Sequence, residues 1–140
     1  MARMIFVNLP VEDVARATAF YEAIGFSKNE QFSNETVSAM DWSETIHVML
    51  MSRGFMATFT DKAIVDPKTS VSAIHALSLE DRAEVDRFTE AALAAGGREL
   101  HEPEDMGFMY SRGFEDPDGN GWGPFAMDVA AHAAATAEGA

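Results

Sequence analysis

The chain has 140 residues, of which 47% are hydrophobic, and it contains no cysteine. Twenty-three acidic against ten basic residues give a formal net charge of −13, which argues against nucleic acid and anionic membranes as partners because both require a basic surface. The lack of cysteine excludes disulfides and thiolate chemistry, and neither a signal peptide nor a membrane-spanning stretch of roughly 20 apolar residues is recognisable, so we expect one cytoplasmic globular domain.

The sequence begins with the pattern of a strand followed by a helix. Residues 5–11 have strand character, and Asp13 is placed to cap the N-terminus of a helix over 14–24. Gly25 is expected to end this helix, because glycine adopts the left-handed conformation common just after helix ends.

Further strands are predicted before the middle of the chain. One is expected over 36–42, and a second over 46–51, which is short, apolar and bounded by polar residues. The pattern is then lost over 52–70, where Phe55 and Phe59 lie. A long excursion with two aromatic residues is typical either of a lid over a pocket or of a crossover that packs against the core, and the sequence favours neither.

The second half predicts another strand, over 71–79, and another helix, over 82–95, which ends at Gly96-Gly97. Three more strands are expected over 98–101, 108–115 and 122–127, with polar turns over 102–105 and 116–121. The alanine-rich tail over 129–140 has no apolar face and is expected to contribute no site residue.

The two halves repeat one pattern. Leu9, Glu12 and Asp13 recur 68 positions later as Leu77, Glu80 and Asp81. A repeat in so short a chain indicates two half-domains that share a core, because neither half could bury enough apolar surface alone. We therefore expect a single domain over 1–128, with repeat units over about 4–51 and 71–128 joined by the crossover over 52–70.

The repeat and three short motifs resemble the vicinal oxygen chelate superfamily, which includes glyoxalase I, bleomycin-resistance proteins and extradiol dioxygenases. The motifs are Phe20-Tyr21 on the first helix, Ala95-Gly96-Gly97 after the second, and Phe114-Glu115-Asp116-Pro117-Asp118-Gly119 before the last strand. The resemblance implies an α+β fold in which tandem βαβββ units form a curled mixed sheet around a cavity, commonly in a homodimer.

The resemblance also implies a divalent metal held by histidine and glutamate side chains from four strands. At the equivalent positions this chain has Phe6, Ile74 and Gly123 in place of ligands, and only His47 could serve. A catalytic mononuclear site needs about three protein ligands, so we predict that the chain binds no metal and no other cofactor.

The candidate ligand-binding residues lie on the strand faces that the family turns toward its cavity. Five of them are Phe6, Asn8, His47, Met49 and Ile74. Tyr110 and Arg112 join them if their strand turns the same face inward, where Arg112 could hold an anion and Tyr110 could donate a hydrogen bond. No catalytic residue is predicted firmly, although His47 is a candidate general base near neutral pH.

These observations favour a metal-free, glyoxalase/bleomycin-resistance-like protein that binds a small molecule and forms a homodimer. The acidic charge favours a cationic aromatic antibiotic as its ligand. The alternative is a lyase, isomerase or dioxygenase of the same superfamily, with relocated metal ligands or with His47 as base. A third hypothesis is a scaffold whose cavity has no ligand.

Overall fold

A computed structural model describes residues 2–128, and its first half contains the predicted strands and helix. The elements are β1 (Ile5–Val11), α1 (Val14–Ala23), β2 (Ser27–Lys28), β3 (Val37–Asp41) and β4 (Ile46–Ser52). A 3-10 turn at Glu30–Phe32 lies between β2 and β3. The crossover contains a short helix, α2 (Arg53–Met56), and a second 3-10 turn at Ala57–Phe59.

The second half repeats this order. Its elements are β5 (Ile74–Ser78), α3 (Arg82–Ala94), β6 (Arg98–Asp105), β7 (Met109–Glu115) and β8 (Gly121–Met127). The predicted turn over 102–105 is wrong, because these residues continue β6. Two register shifts against β7 interrupt this edge strand, and the second of them spans Pro103. The predicted tail lies outside the described residues.

The strands form two mixed four-stranded sheets of identical topology. Their orders are β1-β4-β3-β2 and β5-β8-β7-β6. In each sheet the first and last strands of the unit pair in parallel, and the remaining pairs are antiparallel. Two unclosed, curled sheets with helices confirm the predicted α+β fold.

Both long helices begin and end as their sequences predict. Asp13 accepts a hydrogen bond from the backbone N–H of Arg16 at 3.1 Å, and Asp81 accepts one from Glu84 at 2.8 Å. Gly25 and Gly96 follow the helix ends with φ of 114° and 109°, which only glycine adopts without strain. No helix within residues 2–128 is long and apolar enough to cross a membrane.

One hydrophobic core joins the two halves. It contains the helix-facing residues of both sheets and the inner faces of α1 and α3. Aromatic rings cross the boundary between the halves, with Trp42 against Phe88 at 5.3 Å and Tyr21 against Trp122 at 6.1 Å between ring centroids. Neither sheet therefore has a separate core.

A buried polar network also ties the halves together. The Tyr21 hydroxyl donates to Asp116 at 2.7 Å and accepts from the Trp122 indole N–H at 3.0 Å. Asn120 donates to the carbonyl of Pro10 at 3.1 Å. Burial, with Asp116 next to it, raises the pKa of Tyr21 well above its ordinary value, and burial raises the pKa of Asp116 as well. The Asp-Pro-Asp-Gly turn therefore helps to hold the two halves of the chain together.

Candidate ligand-binding site

Each sheet has one face turned away from the helices. Because side chains alternate along a strand, and Leu9, Val48 and Leu50 point into the core, their sequence neighbours point to the other side. This side of the first sheet, here called the first face, carries Phe6, Asn8 and Pro10 of β1 and His47, Met49 and Met51 of β4. The equivalent side of the second sheet is called the second face.

An apolar groove of about 500 Å³ lies on the first face. It occupies the end where β1 and β4 begin, and the 3-10 turn after β2 forms one wall. The lining residues are Met4, Phe6, Asn29, Phe32, Ala39, Asp41, His47 and Met49. A concave site lined mainly by apolar and aromatic groups, with few polar ones, is typical of small-molecule binding.

Phe6 and His47 form the floor of the groove. They are register partners in β1 and β4, and their rings stack with centroids 4.5 Å apart and planes 12° apart. Phe6 is 52% exposed, whereas the His47 side chain is only 12% exposed. The exposed part of the Phe6 ring is therefore the aromatic surface available to a ligand, and His47 holds this ring in place by stacking on it.

Two hydrogen bonds fix the His47 ring. Its Nδ1 lies 2.7 Å from the Asp41 carboxylate, and its Nε2 lies 3.1 Å from the backbone carbonyl of Glu44. Asp41 is the register partner of His47 on β3. Both ring nitrogens thus face an oxygen of the protein, and neither is directed toward the groove as a free base or metal ligand.

The crossover closes the other end of the first face. Pro10 and Met51 lie on the same face as Phe6 and His47, but they are buried, and α2 contacts β1 and β4 there. The Arg53 guanidinium donates to the carbonyls of Ile64 and Val65 at 2.7 and 2.8 Å, which anchors the rest of the crossover. Of the two readings of this segment, the contacts favour a crossover that packs against the sheet.

The strand pairing changes which residue occupies one of the four positions at which the resemblance implies metal ligands. Gly123 pairs with Ala76, and Ala76 is the counterpart of Asn8 at the repeat distance of 68 residues. Asn8 pairs with Met49. The counterpart of Gly123 is therefore Met49, and the placement of His47 at the second ligand position was wrong by two residues.

The donor set at the four positions does not fit the metal. Phe6, Ile74 and Gly123 have no side-chain donor, and Met49 has only a thioether, whereas the divalent ions of this family take imidazole and carboxylate ligands. Within residues 2–128 no cluster of three histidine, aspartate or glutamate side chains could hold an ion either. No step of a mechanism can be assigned to a metal at these positions.

The second face offers a different surface. Ile74 is 60% exposed there and lies over Gly121 and Gly123, with its side chain 3.5 and 3.8 Å from the positions that Cβ atoms of these glycines would take. The histidine ring of His101 covers Gly113 in the same way. Ile74 is thus separate from the groove, and so is Asn8, which lines a smaller hollow of about 140 Å³ near the crossover.

Tyr110 and Arg112 face α3 instead of the cavity side. Arg112 donates to three carboxylates at 3.0 to 3.2 Å, those of Asp86, Glu90 and Glu99, and its side chain is only 7% exposed. Tyr110 donates to Asp86 at 2.7 Å. The inward orientation expected for these two residues is corrected, because Phe114 on the same strand face is part of the core.

Five groove residues were not predicted from the sequence: Met4, Asn29, Phe32, Ala39 and Asp41. Asp41 lies at the end of a predicted strand, and alternation along β3 places it on the same side as Ala39, so strand pairing could have identified it. Asn29 caps the 3-10 turn and Phe32 ends it, and no periodicity predicts this turn. Met4 precedes β1 and carries no distinguishing sequence feature.

Residues 3–123 match the family model described as the glyoxalase/bleomycin resistance protein/dioxygenase superfamily. Among solved structures, a hypothetical protein from S. aureus has a TM-score of 0.76 at 21% identity, covering 90% of this chain and 95% of that one. A glyoxalase-related enzyme from Fulvimarina pelagi gives 0.75 at 19%, covering 92% and 91%. A protein from Agrobacterium tumefaciens gives 0.70 at 28%, covering 91% and 98%. No curated protein matches.

Proposed function

Because the chain belongs to the glyoxalase/bleomycin resistance protein/dioxygenase superfamily, we propose that it binds a small aromatic molecule in the groove of the first face, without a metal. The observation that carries the proposal is the half-exposed Phe6 ring, stacked on a fixed His47 in an apolar groove of about 500 Å³. A ring already held in position loses little conformational entropy when a ligand packs against it.

The groove itself adds little to the attraction of a cationic ligand. Asp41 is the one acidic residue among the groove-lining residues, and it is paired with His47. The net charge of −13 is thus spread elsewhere over the surface. A cationic aromatic antibiotic is the version of the proposal that long-range attraction would favour, and its affinity would fall as salt rises, because the screening length is about 8 Å at physiological ionic strength.

The rival hypothesis, an enzyme that uses His47 as a general base, has less support. A general base needs a free lone pair within reach of the substrate proton, and both nitrogens of His47 are directed at protein oxygens. We therefore propose binding as the activity of this site.

The test is a titration with benzofuran, a neutral aromatic bicycle, followed by NMR of ¹³C-methyl-labelled methionine. Met4 and Met49 line the groove, whereas Met106 and Met127 are exposed elsewhere. We expect saturable shifts of the first two signals only. Phe6→Ser should weaken binding by about 3- to 10-fold, the value of one aromatic contact.

Phe59→Ser is the matched control for this titration, because Phe59 is 66% exposed and lies outside the groove. It should leave the affinity unchanged. Equal shifts of all four methionine signals, or unchanged affinity in Phe6→Ser, would reject the groove as the binding site.

We also propose that the chain is a cytoplasmic homodimer. Outside the groove, large apolar side chains remain exposed on β1, β5, β6 and the segment just before β5: Ile5, Ile74, Leu100 and Val71. Apolar groups of this kind are commonly covered at subunit interfaces. Light scattering at micromolar concentration should give twice the mass of the chain, and a monomer would count against the dimer without affecting the groove.

A further inference from the structure

Asp41 gives the groove a specific hydrogen-bond requirement. We propose that the ligand is a fused aromatic ring system that carries an N–H group, and that this group donates to the Asp41 carboxylate. This inference rests on the proposed function, since it names the chemical class that the same groove selects.

The carboxylate of Asp41 has one oxygen that is available to accept a hydrogen bond from a ligand. One oxygen, Oδ1, lies 2.7 Å from Nδ1 of His47. The other makes no hydrogen bond with any residue in the part of the chain that the structure describes, and the side chain is 35% exposed at the groove. A carboxylate accepts through two oxygens and never donates when ionised. A ligand covering it must therefore bring a donor, or it leaves this oxygen desolvated and unpaired.

The position of Asp41 relative to Phe6 sets the size of the ligand. Phe6, His47 and Asp41 are register partners in one row across β1, β4 and β3. The row spans two interstrand spacings, or about 10 Å between the outer Cα atoms. A fused bicycle that lies across the edges of the stacked Phe6 and His47 rings can extend along this row toward Asp41, whereas a single ring at Phe6 has less reach.

The other polar group of the groove is compatible with the same ligand. Asn29 uses its side-chain oxygen to accept from the backbone N–H of Gln31 at 3.1 Å, so its amide nitrogen is the atom left to face a ligand. A donor from Asn29 and an acceptor from Asp41 match a heteroaromatic edge that has both an acceptor and an N–H. The N–H is the obligatory part, because the charged carboxylate is the costlier group to leave unpaired.

The equivalent row of the second face lacks these features. It consists of Ile74, Gly121 and Glu115. Glu115 is held by Arg98 at 2.6 Å, and its side chain is only 13% exposed. Since Glu115 is the counterpart of Asp41 but lies outside the groove, Glu115→Ala is a matched control.

The experiment compares indole with benzofuran, which has the same shape but carries an oxygen in place of the N–H. The methionine-methyl titration measures both affinities in the wild type, in Asp41→Ala and in Glu115→Ala. We expect indole to bind at least about 10-fold more tightly than benzofuran in the wild type, as one hydrogen bond to a charged acceptor provides. The ratio should fall to about one or below in Asp41→Ala and stay unchanged in Glu115→Ala.

The ratio is informative even if Asp41→Ala lets His47 move, because a general loosening of the groove weakens both ligands alike. If Asp41→Ala does not fold, the wild type is titrated with 1-methylindole, which has no N–H group. Binding of 1-methylindole no tighter than that of benzofuran would support the inference. Equal binding of indole and benzofuran to the wild type would overturn the inference and leave the proposed function standing. Binding of neither ligand would overturn both.

Discussion

The two open faces occupy equivalent places in the repeat and carry opposite chemistry. The equivalent rows are Phe6, His47 and Asp41 in the first face and Ile74, Gly121 and Glu115 in the second. Where the first face has an aromatic ring on a fixed imidazole, the second has an isoleucine over glycine. The same backbone topology therefore carries a groove in one half and an isoleucine side chain packed over glycines in the other.

The charged side chains of the two halves also lie on different sides of their sheets. In the first half, Asp41 and His47 are on the groove side of the sheet. In the second half, the buried guanidinium of Arg112 lies on the helix side and donates to carboxylates from α3 and β6. Substitutions in the first row should therefore change binding, and substitutions of Arg112 should change stability.

The largest effect is expected for Arg112→Ala. Removing a guanidinium that is 7% exposed leaves three carboxylates without their cation, although these are themselves 39 to 63% exposed. We expect the free energy of unfolding in urea to fall by about 2–3 kcal/mol, with benzofuran affinity unchanged. Arg98→Ala, which removes a 74% exposed partner of Glu115, should cost less than about 1 kcal/mol. A loss of ligand affinity in Arg112→Ala without a loss of stability would show that Arg112 belongs to the binding site.

His47→Ala should have the next largest effect on stability and should also weaken binding. It removes the stacked ring beneath Phe6 and the partner of Asp41, with an expected cost of about 1–2 kcal/mol in urea unfolding. Its counterpart is Gly121→Ala, where an added Cβ would meet Ile74 and Leu100 at ordinary distances of 3.5 and 3.6 Å. That change should stay within about 0.5 kcal/mol. Equal effects of the two substitutions would mean that the faces do not differ as described.

A smaller effect on stability is expected when the pH is lowered, and it concerns Asp105 in the second half. Hydrogen bonds from Arg82 and from the backbone N–H of Gly107 lower the pKa of Asp105 to about 2, from an ordinary value of 3.8. Because the folded-state pKa is the lower one, this contribution to stability is present above about pH 4 and is lost as the pH falls toward 2. The wild type should lose more stability than Arg82→Ala over that interval, measured by urea unfolding at each pH. Parallel pH profiles would contradict the assignment.

The smallest effect is expected from metal ions. Since the four family positions are Phe6, Met49, Ile74 and Gly123, added zinc, nickel, manganese or iron should not raise the melting temperature by occupying a specific site. Metal analysis of the purified protein should find less than one ion per chain. Stoichiometric binding that is lost in His47→Ala would contradict this and favour the enzyme hypothesis.

The fold could be predicted from the sequence because its signals are local and occur twice. Asp13 and Gly25 mark the ends of α1, and Asp81 and Gly96 mark those of α3. The error at β6 came from Pro103, which suggests a turn unless the strand is known to lie at a sheet edge, where a missing amide costs nothing.

The site could be predicted only in part. Alternation along β1 and β4 placed Phe6, His47 and Met49 on one side, and the structure brings these three together in the groove. The orientation of Tyr110 and Arg112 depends on which side of β7 meets α3, which is a tertiary contact that alternation alone leaves open. The pairing of His47 with Asp41 depends on strand register, which one sequence does not specify.

The most direct test of the groove is an intermolecular NOE measurement between benzofuran and the ¹³C-labelled protein. We predict contacts from the ligand protons to the Phe6 ring and to the methyl groups of Met4 and Met49, with none to Ile74 or Leu100. Contacts to Ile74 and Leu100, without contacts to Phe6, would place the ligand on the second face and contradict the assignment of binding to the first.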